Sequence, residues 1–313
     1  MTNIGLLLDM LTYRRPRNSA SEAAFIRRFI LPLAPTRDEH GNYHVWIANP
    51  DGTPSRMLWS CHTDTVHCTD GRQTLRYDPI TGIVELSRKA RNRGSTCLGA
   101  DDTAGVFLCM QMIAAHVPGH YIFHYGEESG GIGSSNLARE SPELLEHAEI
   151  AIALDRRGTS DIITHQFGSR MASQAFASSL ARELMRVDPS LDYAPEHGLY
   201  TDTAEYAEII PECSNLSVGY LYEHTDREIL CTRHTLRLLR ALCALDTSAL
   251  AVEREPCTDV YDCSNYFDYP LDGVDVGCTI YLDPVYADVQ DALTTAQDDL
   301  VRRSTLRCSR RYD

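Results

Sequence analysis

The stretch CLGADDTAGVFLCMQMIAAHVPGHYIFHYGEESGGIGSS (97–135) decides the fold. Residues 103–116 are apolar nearly all round, as expected of a helix buried against a sheet rather than lying on a surface. HYIFHYG (120–126) follows as a continuous apolar run, the mark of a strand covered on both faces. A buried helix feeding a buried strand is the repeating unit of a parallel α/β sheet.

Working outward, the same alternation recurs. NYHVWIA (42–48), SRMLWSC (55–61), AEIAIALD (148–155) and SNLSVGY (214–220) read as strands, and LRYDPITGIVELS (75–87) as a hairpin around Pro79–Gly82. Residues 18–34, 172–187 and 232–252 carry helical apolar spacing behind small polar starters. The predicted class is α/β, a mostly parallel central sheet sandwiched by helices. This catalytic unit spans residues 1–252. From Glu253 the composition shifts to Asp, Tyr and Cys. Residues 253–313 read as an acidic C-terminal appendage with a terminal helix over 284–304.

The bulk numbers exclude several classes. With 29 Lys and Arg against 44 Asp and Glu, the net charge is −15, which repels phosphate backbones and argues against nucleic acid. No apolar run approaches the roughly 18 residues of a membrane span. The opening MTNIGLLLDMLTYRRPRNS has no basic region ahead of its apolar run, so a secretory signal is not expected. Eleven cysteines, an odd and scattered number, fit the reducing cytoplasm. Cys61 and Cys68 read as packing thiols.

Five segments place metal-capable side chains at or beyond predicted strand ends, where α/β sheets bind ligands. WSCHTDTVH (59–67) holds His62 and Asp64 two apart, pointing the same way on an extended chain. CLGADDTAGV (97–106) sets two adjacent acids before a helix; capping explains one aspartate easily and two less well. FHYGEESGGIGSS (123–135) pairs Glu127 with Glu128, costly at a buried strand end unless neutralised. Asp155 ends AIALDRRG (151–158). VGYLYEHTDREIL (218–230) carries His224, with Glu228 four residues on.

The ordered set H-x-D, G-A-D-D, G-E-E-x-G-x-x-G, a strand-ending Asp and E-H-T resembles the co-catalytic dizinc exopeptidases. That clan includes peptidase T-like aminotripeptidases, glutamate carboxypeptidases, aminoacylases and bacterial zinc aminopeptidases. The match covers residues 55–230. It implies the phosphorylase/hydrolase-like core of that clan and two zinc ions, with manganese or cobalt as substitutes. By the same resemblance Asp101 bridges the ions, His62 and Asp155 complete one site, and Glu128 and His224 the other. Glu127 is the general base, Asp64 the partner of His62, and the bond between Asp101 and Asp102 is cis.

The resemblance implies cleavage of a peptide bond by an exopeptidase, aminopeptidase before carboxypeptidase. A deacylase of N-acyl amino acids and a catalytically inactive binding protein are the alternatives, and an oligomer is compatible with either. Many clan members insert a lid domain between the strand-ending Asp and the last His. Here the interval is 224 − 155 = 69 residues, so a single-domain variant is expected. Substrate contacts would then come from His165 and Tyr200 as donors, from Asp202 and Thr203 in YTDTAEY (200–206), with a helix N-cap as the alternative, and from Arg157, with a surface salt bridge as the alternative.

Overall fold

The structure, a computed structural model, describes residues 4–256, all within one compact unit. The helix expected over 284–304, and all of the appendage beyond residue 256, lie outside the described residues.

Four strands run parallel at the heart of a nine-stranded sheet. In spatial order they are Glu212–Ser217, Ile150–Arg156, Met57–His62 and Gly119–His124. Antiparallel strands flank them: Tyr43–Ile47 beside Gly119–His124, and Asp161–Gln166 beside Glu212–Ser217. Ala194–Gly198 lies parallel to Asp161–Gln166. The expected sheet is therefore present, parallel at its centre and antiparallel at its margins.

Alternation along each central strand explains why both faces are covered. Met57, Trp59 and Cys61 point into one apolar cluster with Tyr121, Phe123, Ile150, Ile152 and Leu154. Leu58, Ile122 and Ala151 point into another. The first face packs against the helices Ala100–Ala114, Gln174–Val187 and Thr232–Cys243; the second meets Ile132–Glu140 and the 3₁₀ turn Asp202–Tyr206. Burial of these side chains on both faces supplies the main driving force, about 25 cal/mol per Å² of apolar surface. Gly105 lets the Ala100–Ala114 helix touch the sheet, since a Cβ there would lie 2.3 Å from the Leu154 carbonyl oxygen.

Three local expectations are corrected. The helix read over 232–252 stops at Cys243, and Asp246 then caps the short 3₁₀ turn Thr247–Ala249 by accepting from Ser248 N–H. The 18–34 helix is α-helical only over Ala20–Phe25 before passing through a π-turn and a 3₁₀ turn containing Pro32. Cys68 is exposed rather than packed, because it lies in the loop beyond the end of the His62 strand.

No second domain interrupts the segment between Asp155 and His224 among the described residues. It is spent on sheet strands, the Gln174–Val187 helix and the Asp202–Tyr206 turn.

Candidate metal centre

The parallel strands end together, and their ends bring the predicted side chains into one cleft. His62 is the last residue of its strand and Asp155 the second-last of the neighbouring one. Glu127 and Glu128 form a 3₁₀ turn just past Gly119–His124. Gly126, Gly130 and Gly131 all adopt left-handed φ there, which turns the chain sharply enough to aim both acids inward. His224 arrives from a turn in which Tyr222 and His224 themselves have φ near +60°, a conformation few non-glycine residues adopt.

Asp101 stands between the two imidazoles. Its Oδ1 lies 3.0 Å from His62 Nε2 and its Oδ2 3.1 Å from His224 Nε2. Asp155 Oδ1 lies 3.5 Å from His62 Nε2, and Glu128 Oε2 lies 3.1 Å from His224 Nε2. The geometry thus makes two triplets, His62–Asp101–Asp155 and His224–Asp101–Glu128, that share one carboxylate. Glu127 Oε2 faces the same space at 3.9 Å from His62 Nε2. His62 Nδ1 points backward, 3.2 Å from the Asp64 carbonyl and 3.5 Å from its carboxylate.

The adjacent aspartates divide their work, as capping alone could not explain. The bond between them is cis. Asp102 accepts from Gly105 N–H at 2.8 Å and from His62 N–H at 3.2 Å, so it caps the helix and its oxygens are engaged. Ligand atoms of His62, Asp102 and Asp155 also lie within 4.8 Å of one another, as do those of His62, Asp101 and Glu128. Its two backbone bonds argue for Asp102 as a structural member of this group.

The site holds an excess of acid. Among the described residues no lysine or arginine pairs with Asp101, Glu127, Glu128 or Asp155; their ionic partners are the two histidines. Burial raises Glu127 well above the ordinary carboxylate range and pushes Glu128 up to about 7. Burial also disfavours charge on His62, yet Asp155 and Asp101 outweigh it and hold this imidazole well above its ordinary value. Against the same burial, His224 is carried up to about 12 by Asp101 and Glu128, and Asp101 is held low by both histidines. Glu128 Oε1 and both Asp64 carboxylate oxygens are buried without a hydrogen-bond partner. Oxygen and imidazole donors, excess negative charge and unpartnered buried oxygens together fit divalent cations of the zinc type.

The supporting residues were mostly missed by sequence reading. Glu228 accepts backbone N–H bonds from Leu98, Gly99 and Asp101 at 2.8, 2.9 and 3.0 Å, fastening the loop that presents Asp101. Its position four residues after His224 was the one available signal. Arg15, fully buried, donates to the Thr63 carbonyl and to Thr103 Oγ1, tying the His62 loop to the start of the helix. Thr201 and Tyr220 donate to the two Asp155 oxygens at 2.9 and 3.1 Å, and Asn215 clamps the Asp155 backbone.

The expected substrate contacts fare unevenly. Tyr200 and Arg157 line the cleft. The Tyr200 hydroxyl donates to Glu205 at 2.9 Å, and Arg157 pairs with Glu223 at 2.9 Å, the blander of its two predicted roles. Asp202 is buried behind the cleft, accepting from Ser134 at 2.5 Å, with burial pushing it up to about 8. Thr203 is fully buried and donates to the Ser214 carbonyl, so it does not face a substrate. His165 is not among the cleft-lining residues and packs its ring 4.3 Å from that of His197.

No protein-family profile and no curated protein matches this chain. Solved structures do. Aminopeptidase PepT from Bacillus cereus superposes with a TM-score of 0.61 at 13% identity, covering 77% of this chain and 96% of that one. A tripeptidase from Staphylococcus aureus gives 0.59 at 14% identity, covering 79% and 98%. A TET aminopeptidase from a marine-sediment thaumarchaeon gives 0.55 at 13%, covering 79% and 98%. This chain therefore has the fold of those aminopeptidases, as the resemblance in its motifs implies.

Proposed function

We propose that this protein is a metal-dependent exopeptidase, an aminopeptidase by preference, working through two bridged divalent cations of which zinc is the natural choice. One observation carries the reading: a single buried carboxylate, Asp101, offers one oxygen to each of two histidine–carboxylate groups. His62 and Asp155 would hold one cation, His224 and Glu128 the other, and Asp101 both. Two such ions supply an acidified water nucleophile and polarise the scissile carbonyl.

The chain's own groups do the rest. Glu127, desolvated and raised well above its ordinary range, accepts the proton of the attacking water and returns it to the leaving amine. Asp64, behind Nδ1 of His62, fixes the tautomer that leaves Nε2 free to ligate. Glu228 holds the Asp101 loop in place.

Polarity follows from how the cleft's cations are spent. Arg156 pairs with Asp161 and Arg157 with Glu223, which argues against capture of a substrate carboxylate. The acid excess suits a free α-amine. The PepT and TET names of the similar structures support the same choice. The solved TET1 peptidase of Pyrococcus horikoshii, described as assembling into a tetrahedron or an octahedral shell, makes a homo-oligomer a reasonable expectation here. We take the catalytic unit to span residues 1–252, and the odd, scattered cysteines support a reducing cytosol as its setting. No helix among the described residues is long and apolar enough to cross a membrane.

The test is a paired screen of the zinc-loaded full chain on peptides blocked at the N-terminus, blocked at the C-terminus, or free. Hydrolysis that needs a free amine supports the proposal. Cleavage only of N-acyl amino acids replaces it with the deacylase reading, and a protein that takes up no metal removes it.

A further inference from the structure

Four neutral side chains with N–H or O–H donors line the cleft: Tyr200, Tyr220, Asn215 and Gln166. Three are committed. Tyr200 donates to Glu205, Tyr220 to Asp155 Oδ1, and Asn215 to the Asp155 carbonyl. Gln166 is different. It ends the strand Asp161–Gln166, is 1% exposed, and its Nε2 is buried without a hydrogen-bond partner among the described residues.

The amide cannot simply be turned over. Its Oε1 accepts from Thr201 N–H at 3.0 Å, and only the oxygen end can meet that donor. The nitrogen is thereby assigned to the other side. An unpartnered buried amide N–H is costly, which is sensible where a ligand supplies the acceptor. Thr201 also donates its hydroxyl to Asp155 Oδ2 at 2.9 Å. One residue therefore sets both the direction of the Gln166 amide and the attitude of Asp155.

We infer that Gln166 is a catalytic residue that donates Nε2–H to the carbonyl oxygen of the scissile bond and holds it as it becomes an oxyanion. The inference rests on the amide-hydrolase reading above. Water oxygen bonds to the carbonyl carbon, the carbonyl π pair moves onto its oxygen, and Glu127 takes the water proton. On collapse that pair re-forms the carbonyl, the C–N bond breaks, and the proton passes to the amine nitrogen. Gln166 gains and loses no proton. It supplies a fixed neutral dipole where negative charge develops, the form of assistance most effective in a desolvated site.

The experiment uses the zinc-loaded full chain, wild type and Gln166→Met and Gln166→Ala, on a substrate the wild type cleaves. The expected result is a kcat lower by about 10²–10³-fold, as for loss of one oxyanion donor, with KM and metal content within about threefold of wild type. Affinity for a tetrahedral phosphinic peptide should fall by a similar factor, while affinity for the product amino acid holds. A readout on wild type needs no variant: with ¹⁵N-glutamine labelling, one side-chain amide resonance should shift downfield on binding the phosphinic peptide. Variants with kcat within threefold of wild type, or a phosphinic peptide that moves no glutamine amide, would overturn the assignment to Gln166. A wild type that hydrolyses no peptide or N-acyl amino acid would instead overturn the amide-hydrolase reading.

Discussion

The parallel strands bury carboxylates at both of their ends, and the two ends treat them in opposite ways. Glu212, at the start of its strand, is fully buried. It accepts backbone N–H bonds from Ser173, Glu253 and Arg254 at 2.6, 2.7 and 3.0 Å. The Arg254 guanidinium beside it donates to the carbonyls of Pro211, Ala207 and Ile210. At the finishing end, Asp101, Glu127, Glu128 and Asp155 crowd around two imidazoles, and Glu128 Oε1 has no partner. Burial alone therefore does not mark a functional acid, because a carboxylate fed by backbone donors is content. The mark is a buried oxygen that the rest of the chain leaves unmet.

This division can be tested by replacing one acid at each end. Glu127→Gln should lower kcat by about 10²–10⁴-fold, the usual worth of a general base, while metal content and melting temperature stay near wild type. Metal analysis alongside initial rates decides it, and surviving turnover would remove Glu127 as the base. Glu212→Ala should do the reverse. Three backbone N–H groups lose their acceptor, at about 1–3 kcal/mol for a buried unsatisfied donor, so urea unfolding should show a loss of several kcal/mol. The folded fraction should keep its kcat and metal stoichiometry. A catalytic defect without a stability defect would break the comparison.

The smallest expected effect is in pH. Glu128, Asp202 and Glu228 have folded values raised by burial to about 7, 8 and 8. A raised carboxylate binds its proton more tightly folded than unfolded, so its stabilising contribution is present at low pH and is lost as pH climbs to the folded value. The buried His67 and His234, lowered to about 3 and about 4, act in the opposite sense but only below about 6.5. Between pH 6.5 and 8 His62 and His224, whose folded values are raised, act in the same sense as the acids. The metal-free protein should lose stability across that window by up to about 1.4 kcal/mol per pH unit for each proton released. Zinc should flatten the slope by displacing the protons itself, since metal ligands bind deprotonated. Urea midpoints at the two pH values, with zinc and with chelator, measure both slopes. A steep slope that zinc leaves unchanged would place the titrating acids away from the metal centre.

Much of this was legible in order along the chain. Continuous apolar runs identified the central strands because a strand covered on both faces can be apolar at every position, and the two apolar clusters cover the two faces of Met57–Cys61 and Tyr121–Phe123. The acids and histidines at strand ends were legible because a costly residue beside an apolar run stands out in sequence. Boundaries were less so: the helix from Thr232 stops at Cys243 although apolar residues continue.

What the amino-acid order determined by itself, then, is the α/β layering and the five segments that converge at the strand ends. Tertiary structure alone decided how each polar atom is spent. It separated Asp101 from its neighbour Asp102, turned Thr203 inward, removed His165 from the cleft, recruited Glu228 and Arg15 as supports, and left Gln166 Nε2 buried without a partner among the described residues. The reason is physical. Apolar patterning depends on near neighbours in the chain, whereas a hydrogen-bond ledger depends on atoms that the sequence separates widely, such as Leu98 and Glu228 or Gln166 and Thr201, and only folding brings them to 3 Å.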